Sequence, residues 1–311
     1  TSAFPLLPSL KSEEILKQLR KSPSFSSNES KEWEAKPHRE MDGTLDKIDK
    51  KTRQKLMDLT SVECPDGFWP IYTGASFNLW SADTKEYYAW GDPNILLPWI
   101  QNKRIRGKNL PSSKFYNFSN QWIDDEATLS CLSPRISFRG ITNRTNSRTV
   151  ISCLIPPKVF TIAKSPFLLF SKGSASDITF VLGVLSSVPL DWWARRFVET
   201  DVAFFIFESF PIPCPNSENI FRKRVIELAG RLACVDERYA DWAKEIGVEY
   251  GLVPPTEKND MIHELDAVVA HLYGLSEEQL THIFETFHVG WNYQDRLDDT
   301  LKHFNHWNQK L

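Results

Sequence analysis

Fifty consecutive residues, Ala127 to Ser176, contain no aspartate or glutamate, although the 311-residue chain has 40 of them. The same stretch holds seven positive side chains: Arg135, Arg139, Arg144, Arg148, Lys158, Lys164 and Lys172. The chain as a whole has a formal net charge of −3, which excludes a generally basic nucleic-acid coat. A local positive field can still act where the total is negative, and the imbalance is regional. Residues 127–214 hold nine basic and five acidic side chains, whereas residues 215–311 hold ten and seventeen.

Other absences narrow the class further. The five cysteines are odd in number and form no CxxC, which argues against a disulfide framework or a zinc ribbon and suggests a reducing, cytoplasmic setting. The longest apolar run, Ile178 to Leu190, is interrupted by Gly183, Ser186, Ser187 and Pro189 and is too short to span a bilayer, so no membrane partner is expected. There is no HExxH, and His263 and His271 lie eight residues apart, so no metal site is expected. The two Pro-Pro pairs, Pro156-Pro157 and Pro254-Pro255, lack the preceding amide or acid and the following aromatic that hold a flipped adenine. A glycine-rich strand-to-helix turn for a nucleotide cofactor is also missing, so methyl-transfer catalysis and its cofactor are not expected within this chain. A nuclease with a cryptic site remains an alternative on Pro65-Asp66 and Glu34-Ala35-Lys36, although these stand in reversed order for a PD…(D/E)xK site. The chain begins Thr-Ser-Ala without an initiator methionine and is expected to be part of a longer protein.

What is present reads as an α+β chain. Eleven Trp and twenty Phe require large aromatic cores or flat contact surfaces. Residues 9–22 carry an apolar stripe of Ile15, Leu16 and Leu19, predicting a helix capped at Ser12. Residues 45–60 read as a second, solvated helix. From Phe68 the texture becomes aromatic and β-branched, predicting two or three strands with a hairpin across 81–85. "PNILLPWIQNKRIRGK" predicts a short helix followed by a basic loop, and "KVFTIAKSPFLLFSK" a further strand. "SASDITFVLGVLSS" and "VPLDWWARRFVET" predict two helices, the second opened by Pro189. "VAFFIFESFPIPCP" reads as a buried strand, and the sequence after Pro215 as helical throughout. Three consecutive parts are expected: a helical or linker segment over 1–61, a mainly β recognition domain with packed helices over 62–215, and a helical subdomain over 216–311.

"RISFRGITNRTNSRTVISCLIPP" carries the chemistry. Arg135, Ser137 and Arg139 alternate with Ile136 and Phe138, which predicts a strand with one polar face. "TNRTNS" then supplies the turn of a β-hairpin. A two-stranded ribbon fits the major groove, where Arg donates twice to guanine and Asn pairs with adenine. Arg135, Arg139, Asn143, Arg144, Asn146 and Arg148 are therefore the first candidate DNA contacts. Lys158 belongs to the same acid-free stretch, and Lys103, Arg104 and Arg106 form a second basic patch suited to phosphates. A solvated surface strand is the plain alternative, with a protein-interaction module, docking a methyltransferase or defence-complex partner, as the rival from another class.

These motifs, with "FVLGVLSSVPLDWWARRFVET", "FFIFESFPIP", "FWPIYTGASFNLW" and "ELDAVVAHLYGLSEEQLTHIFETF", resemble in their order the C-terminal target-recognition region of large adenine-specific DNA methyltransferases. These are the type IIG and IIL restriction-modification enzymes and the related BREX- and DISARM-type phage-defence proteins. The resemblance runs from about Trp33 to the C-terminus. It implies that this chain reads duplex DNA, with the arginine-rich segment quoted above as the reader. It further implies that an upstream methyltransferase domain of the parent protein holds S-adenosylmethionine and performs N6-adenine methylation.

Overall fold

A computed structural model describes residues 7, 9–27, 32–143 and 145–310. In chain order the helices are α1 (Leu10–Leu19), α2 (Pro93–Lys108), α3 (Asn120–Asp124), α4 (Ala175–Ser186), α5 (Val188–Ala194), α6 (Phe204–Phe207), α7 (Ile220–Ala233), α8 (Ala240–Ile246), α9 (Pro255–Leu272), α10 (Glu277–Glu285) and α11 (Gln294–Asn308). The strands are β1 (Glu34–His38), β2 (Trp69–Tyr72), β3 (Tyr87–Gly91), β4 (Arg135–Phe138), β5 (Ser152–Ile155), β6 (Phe160–Thr161) and β7 (Phe167–Lys172). The fold is α+β.

The three consecutive parts expected from the sequence are divided differently. The chain forms two compact units, each assembled from separated pieces. A sheet unit comprises Ala35–Gly140 and Cys153–Ser171, and a helical unit comprises Thr1–Glu34, Ile141–Ser152 and Lys172–Leu311. The stretch 172–215 belongs with the C-terminal helices because α4 packs on α7 without side-chain space between them. A Cβ on Gly183 would lie 2.5 Å from Val225 Cγ1 and 3.1 Å from Ala229 Cβ, so the helix crossing needs glycine there.

The sheet unit contains two sheets. One is ordered β3-β2-β6, with β2 antiparallel to β3 (Ile71 opposite Ala89) and parallel to β6. Ile71, Leu96, Cys131, Phe160 and Ile162 form the apolar cluster on it. The other is ordered β1-β7-β4-β5, with Ser137 of β4 opposite Phe167 of β7. β4 is thus an interior strand, and all four of its residues are buried. This corrects the expected half-polar hairpin strand: neighbours on both edges and packing on both faces leave no solvent side for Arg135.

Four further expectations change. Residues 45–60 are turns rather than helix, because aspartates capture local backbone donors. Asp42 Oδ1 accepts from the N–H groups of Thr44 and Leu45, Asp49 Oδ1 from Lys51 and Thr52, and Asp58 Oδ1 from Thr60. α2 runs through the whole basic stretch to Lys108, started by Asp92 as its cap and Pro93 in its first turn, so no basic loop follows it. "VAFFIFESFPIPCP" is the one-turn α6 followed by extended chain. There Phe25 donates to the Phe210 carbonyl and Ile212 to that of Pro23. At 81–85, only a bridge between Asn78 and Ser81 forms, and β3 starts at Tyr87.

The helical unit follows the sequence more closely. Ser174 and Asp177 close a capping box on α4, and Ser276 and Gln279 do the same on α10. α1 is capped by Ser9 rather than Ser12, whose buried hydroxyl bonds His282 Nε2 at 2.8 Å. The long pattern after Pro215 breaks at Cys234 into α7 and α8. No helix among the described residues is long and apolar enough to cross a membrane.

Candidate nucleic-acid interface

The absence of acids in residues 127–176 poses a local problem that both units solve with a distant carboxylate. In the sheet unit, Arg135 is 5% exposed. Its Nη2 lies 3.4 Å from Glu40 Oε2 and donates to the Val159 carbonyl at 2.9 Å, while Nη1 reaches the Ser130 carbonyl. Glu40 Oε2 also accepts from the Thr161 N–H at 2.8 Å. Burial raises the Glu40 pKa, and the Arg135 charge opposes that rise. Arg135 therefore has no donor to offer DNA; it closes the interior of a sheet.

In the helical unit the distant acid is Asp191, on α5 and fully buried. Oδ2 accepts from Arg148 Nε at 2.5 Å, Oδ1 accepts from the Val150 N–H at 3.1 Å, and the Thr149 N–H is 3.1 Å from both oxygens. Arg148 Nη2 continues to the Ser186 and Ser187 carbonyls. Arg195, one turn along from Asp191, sends Nη2 to the carbonyls of Asn146 (2.6 Å) and Ser147 (2.8 Å). Its guanidinium lies 4.1 Å from the centre of the Phe287 ring. Burial lowers the Arg195 pKa, Asp191 opposes this, and Arg148 adds to it. Arg148, like Arg135, is committed to structure.

Above this network stand Asn143 and residues 145–147. Asn143 Oδ1 accepts from the N–H groups of Thr145 (2.9 Å) and Asn146 (3.0 Å) and from the Thr145 hydroxyl, closing an Asx turn. Thr145, Asn146 and Ser147 are exposed. Asn146 Nδ2 donates to Thr142 Oγ1 at 3.2 Å, and its Oδ1 has no partner among the described residues. The surface offered is one of amide and hydroxyl groups with no acid. Arg144 lies outside the described residues.

The remaining candidates sort by exposure. Arg139 is half-buried, donates to the Phe77 carbonyl, and has a pKa lowered by burial. Arg104 is buried and clamps the Ile123 and Asp125 carbonyls and the Thr128 hydroxyl. Lys103 bonds the Glu40 carbonyl and Asp46. Only Arg106, on α2, and Lys158, at a left-handed turn position (φ 60°), are exposed among these candidates. Within the second basic patch Arg104 is thus internal scaffolding, and Lys103 is held at the surface by Glu40 and Asp46. Arg196 is half-buried over the Trp192 ring, and burial with Arg195 lowers its pKa to about 10.

Sequence reading missed Asp191 and Phe287. The Asp191 signal was present as an acid in an otherwise apolar "VPLDWWA" helix, where a buried carboxylate demands buried partners. For the nuclease alternative, Asp66 and Glu34 are exposed, and no group of three metal-ligating residues occurs among the described residues.

No protein-family model matches the chain, and no curated protein matches it. Among solved structures it is similar to the type IIL restriction-modification enzyme MmeI in complex with DNA, at 12% identity and a TM-score of 0.32. The match covers 75% of this chain and 31% of that one, so the chain spans about a third of the enzyme's length.

Proposed function

We propose that this chain is a duplex-DNA recognition module whose reading element is the turn 143–147. The observation that carries the reading is the pairing of that exposed turn with its foundation. An acid-free strip of amides and hydroxyls is fastened from beneath by a buried carboxylate whose charge two arginines offset. Amides and hydroxyls are the groups that contact base edges and phosphates, and a rigid presentation avoids ordering costs on binding. Arg106 and Lys158 supply exposed positive charge in the sheet unit. The ordered motifs that resemble the recognition region of adenine-specific methyltransferases support the same reading. On it, the parent protein places an S-adenosylmethionine-dependent N6-adenine methyltransferase upstream, this chain itself is not catalytic, and the setting is the cytoplasm.

Selection of random duplex DNA on the chain at two salt concentrations, followed by sequencing, tests this. An enriched motif with affinity that falls steeply as salt rises is expected. Salt-sensitive binding without a motif would reduce the chain to a backbone-docking piece. No binding at either salt would shift the reading to a protein-interaction module.

A further inference from the structure

We infer that Asp191 and Arg195 form a two-point clamp on residues 146–150, so that positioning residues buried in α5 and at its C-terminal end govern how the exposed Thr145, Asn146 and Ser147 are presented. The consequence for selectivity rests on the DNA reading proposed above; the clamp itself does not.

The turn has two outlets for its backbone polar groups, and each is met by a different side chain. On its C-terminal side, the N–H groups of Thr149 and Val150 point to the Asp191 carboxylate at 3.1 Å. Within its last residues, the carbonyls of Asn146 and Ser147 point to Arg195 Nη2. Acceptors at 146 and 147 and donors at 149 and 150 are thus fixed by residues 3.9 Å apart that belong to one helical turn. Arg148 enters between them, its Nε on Asp191 and its Nη2 on the Ser186 and Ser187 carbonyls that end α4 and begin α5. Phe287, itself buried, lies against the Arg195 guanidinium. The Asn143 side chain closes the turn internally. A chain segment held by bonds of both polarities to one rigid element has one conformation available, whereas a turn closed by Asn143 alone would sample several. Removing one point of the clamp should loosen the turn without dismantling the crossings of α4, α7 and α9, which rest on close contacts such as Gly183 against Val225 and on the Arg222–Asp177 and Arg224–Glu264 ion pairs.

Two variants separate the points. Asp191→Asn keeps the shape but removes the charge and turns one of the two acceptor oxygens into an amide donor, so that either Arg148 or Val150 faces a donor and Thr149 loses one of its two acceptors. Arg195→Lys keeps a cation beside Asp191 and over Phe287 but loses the fork that spans two carbonyls. Hydrogen exchange is read by residue in both, with DNA affinity measured for a selected duplex and for random duplex. Asp191→Asn is expected to speed exchange of the Thr149 and Val150 amides about tenfold or more, as for loss of a charge-assisted hydrogen bond, with the amides of Ala267–Ala270 unchanged. Arg195→Lys is expected to speed exchange at Asn146 while Thr149 and Val150 stay protected. Both should lower the ratio of selected to random affinity about tenfold and leave random-duplex affinity nearly unaltered. Unchanged exchange at 146–150 in both variants, or equal acceleration throughout the helical unit, would overturn the clamp. Local loosening with an unaltered affinity ratio would overturn the positioning role. If the parent chain selects no sequence, the DNA reading fails, and the exchange pattern alone decides the clamp. If Asp191→Asn does not fold, Arg195→Lys carries the test.

Discussion

Arg135 and Arg148 begin as equals, two arginines thirteen residues apart in one acid-free segment, yet they end in different units with different tasks. Arg135 meets Glu40 inside a four-stranded sheet, where both partners are buried and the pair supports the fold. Arg148 meets Asp191 beneath a turn whose upper side is exposed, so the same chemistry there supports a surface. A basic run therefore does not by itself mark a binding face. A buried ion pair gains function from what it holds in place.

The largest effect that would break this comparison is expected from Asp191→Ala. It strands the Arg148 guanidinium and two backbone N–H groups in a buried site and should cost about 3–5 kcal/mol in chemical denaturation. A cost below about 1 kcal/mol would show that the network is not the foundation of the segment. Next, Gly183→Leu should cost about 1–3 kcal/mol by overpacking the α4–α7 crossing, read as a lowered urea midpoint with the DNA selectivity of the folded fraction retained.

Glu40 sharpens the contrast through pH. Its folded-state pKa is raised by burial, so the folded protein holds this proton more tightly than the unfolded chain. Its contribution is full below the ordinary carboxylate value of 4.5 and is lost as pH rises from there through the raised value. Asp177 in the helical unit behaves oppositely. Burial alone would raise its pKa, but bonds from Ser174 and Arg222 outweigh that and lower it, so its contribution is present above the ordinary value and lost on acidification. Glu40→Gln should therefore cost more at pH 4 than at pH 7, and Asp177→Asn more at pH 7 than at pH 3. Urea midpoints across pH check both signs. The smallest effects concern the surface. Asn146→Ala should leave stability within about 0.5 kcal/mol and cost about 1–3 kcal/mol on the selected duplex. Lys158→Ala should weaken binding alike on all sequences, with a salt slope shallower by about 1.

Much of the helical unit was legible because local signals and packing agree there. The boxes at Ser174 and Ser276, the proline opening α5 and the apolar spacing of α9 each name their element. The sheet unit was harder to read. A polar residue in an interior strand looks like a surface residue until its partner is known, and Glu40 lies 95 positions from Arg135. Likewise "KIDKKTRQK" has helical charge spacing, but Asp42, Asp49 and Asp58 spend their carboxylates on nearby N–H groups and hold turns. Of the candidate site, the polar turn residues Asn143 and Asn146 could be read from the sequence. Their foundation could not, since Asp191 and Arg195 are about 45 residues away and appear as part of an apolar helix.

The most direct measurement is hydrogen exchange on the chain with and without its selected duplex. Protection on binding that centres on residues 142–147, with α9 and the β4 interior unaffected, is the predicted result. Protection that omits this turn and falls on another surface would contradict the assignment of the reading element.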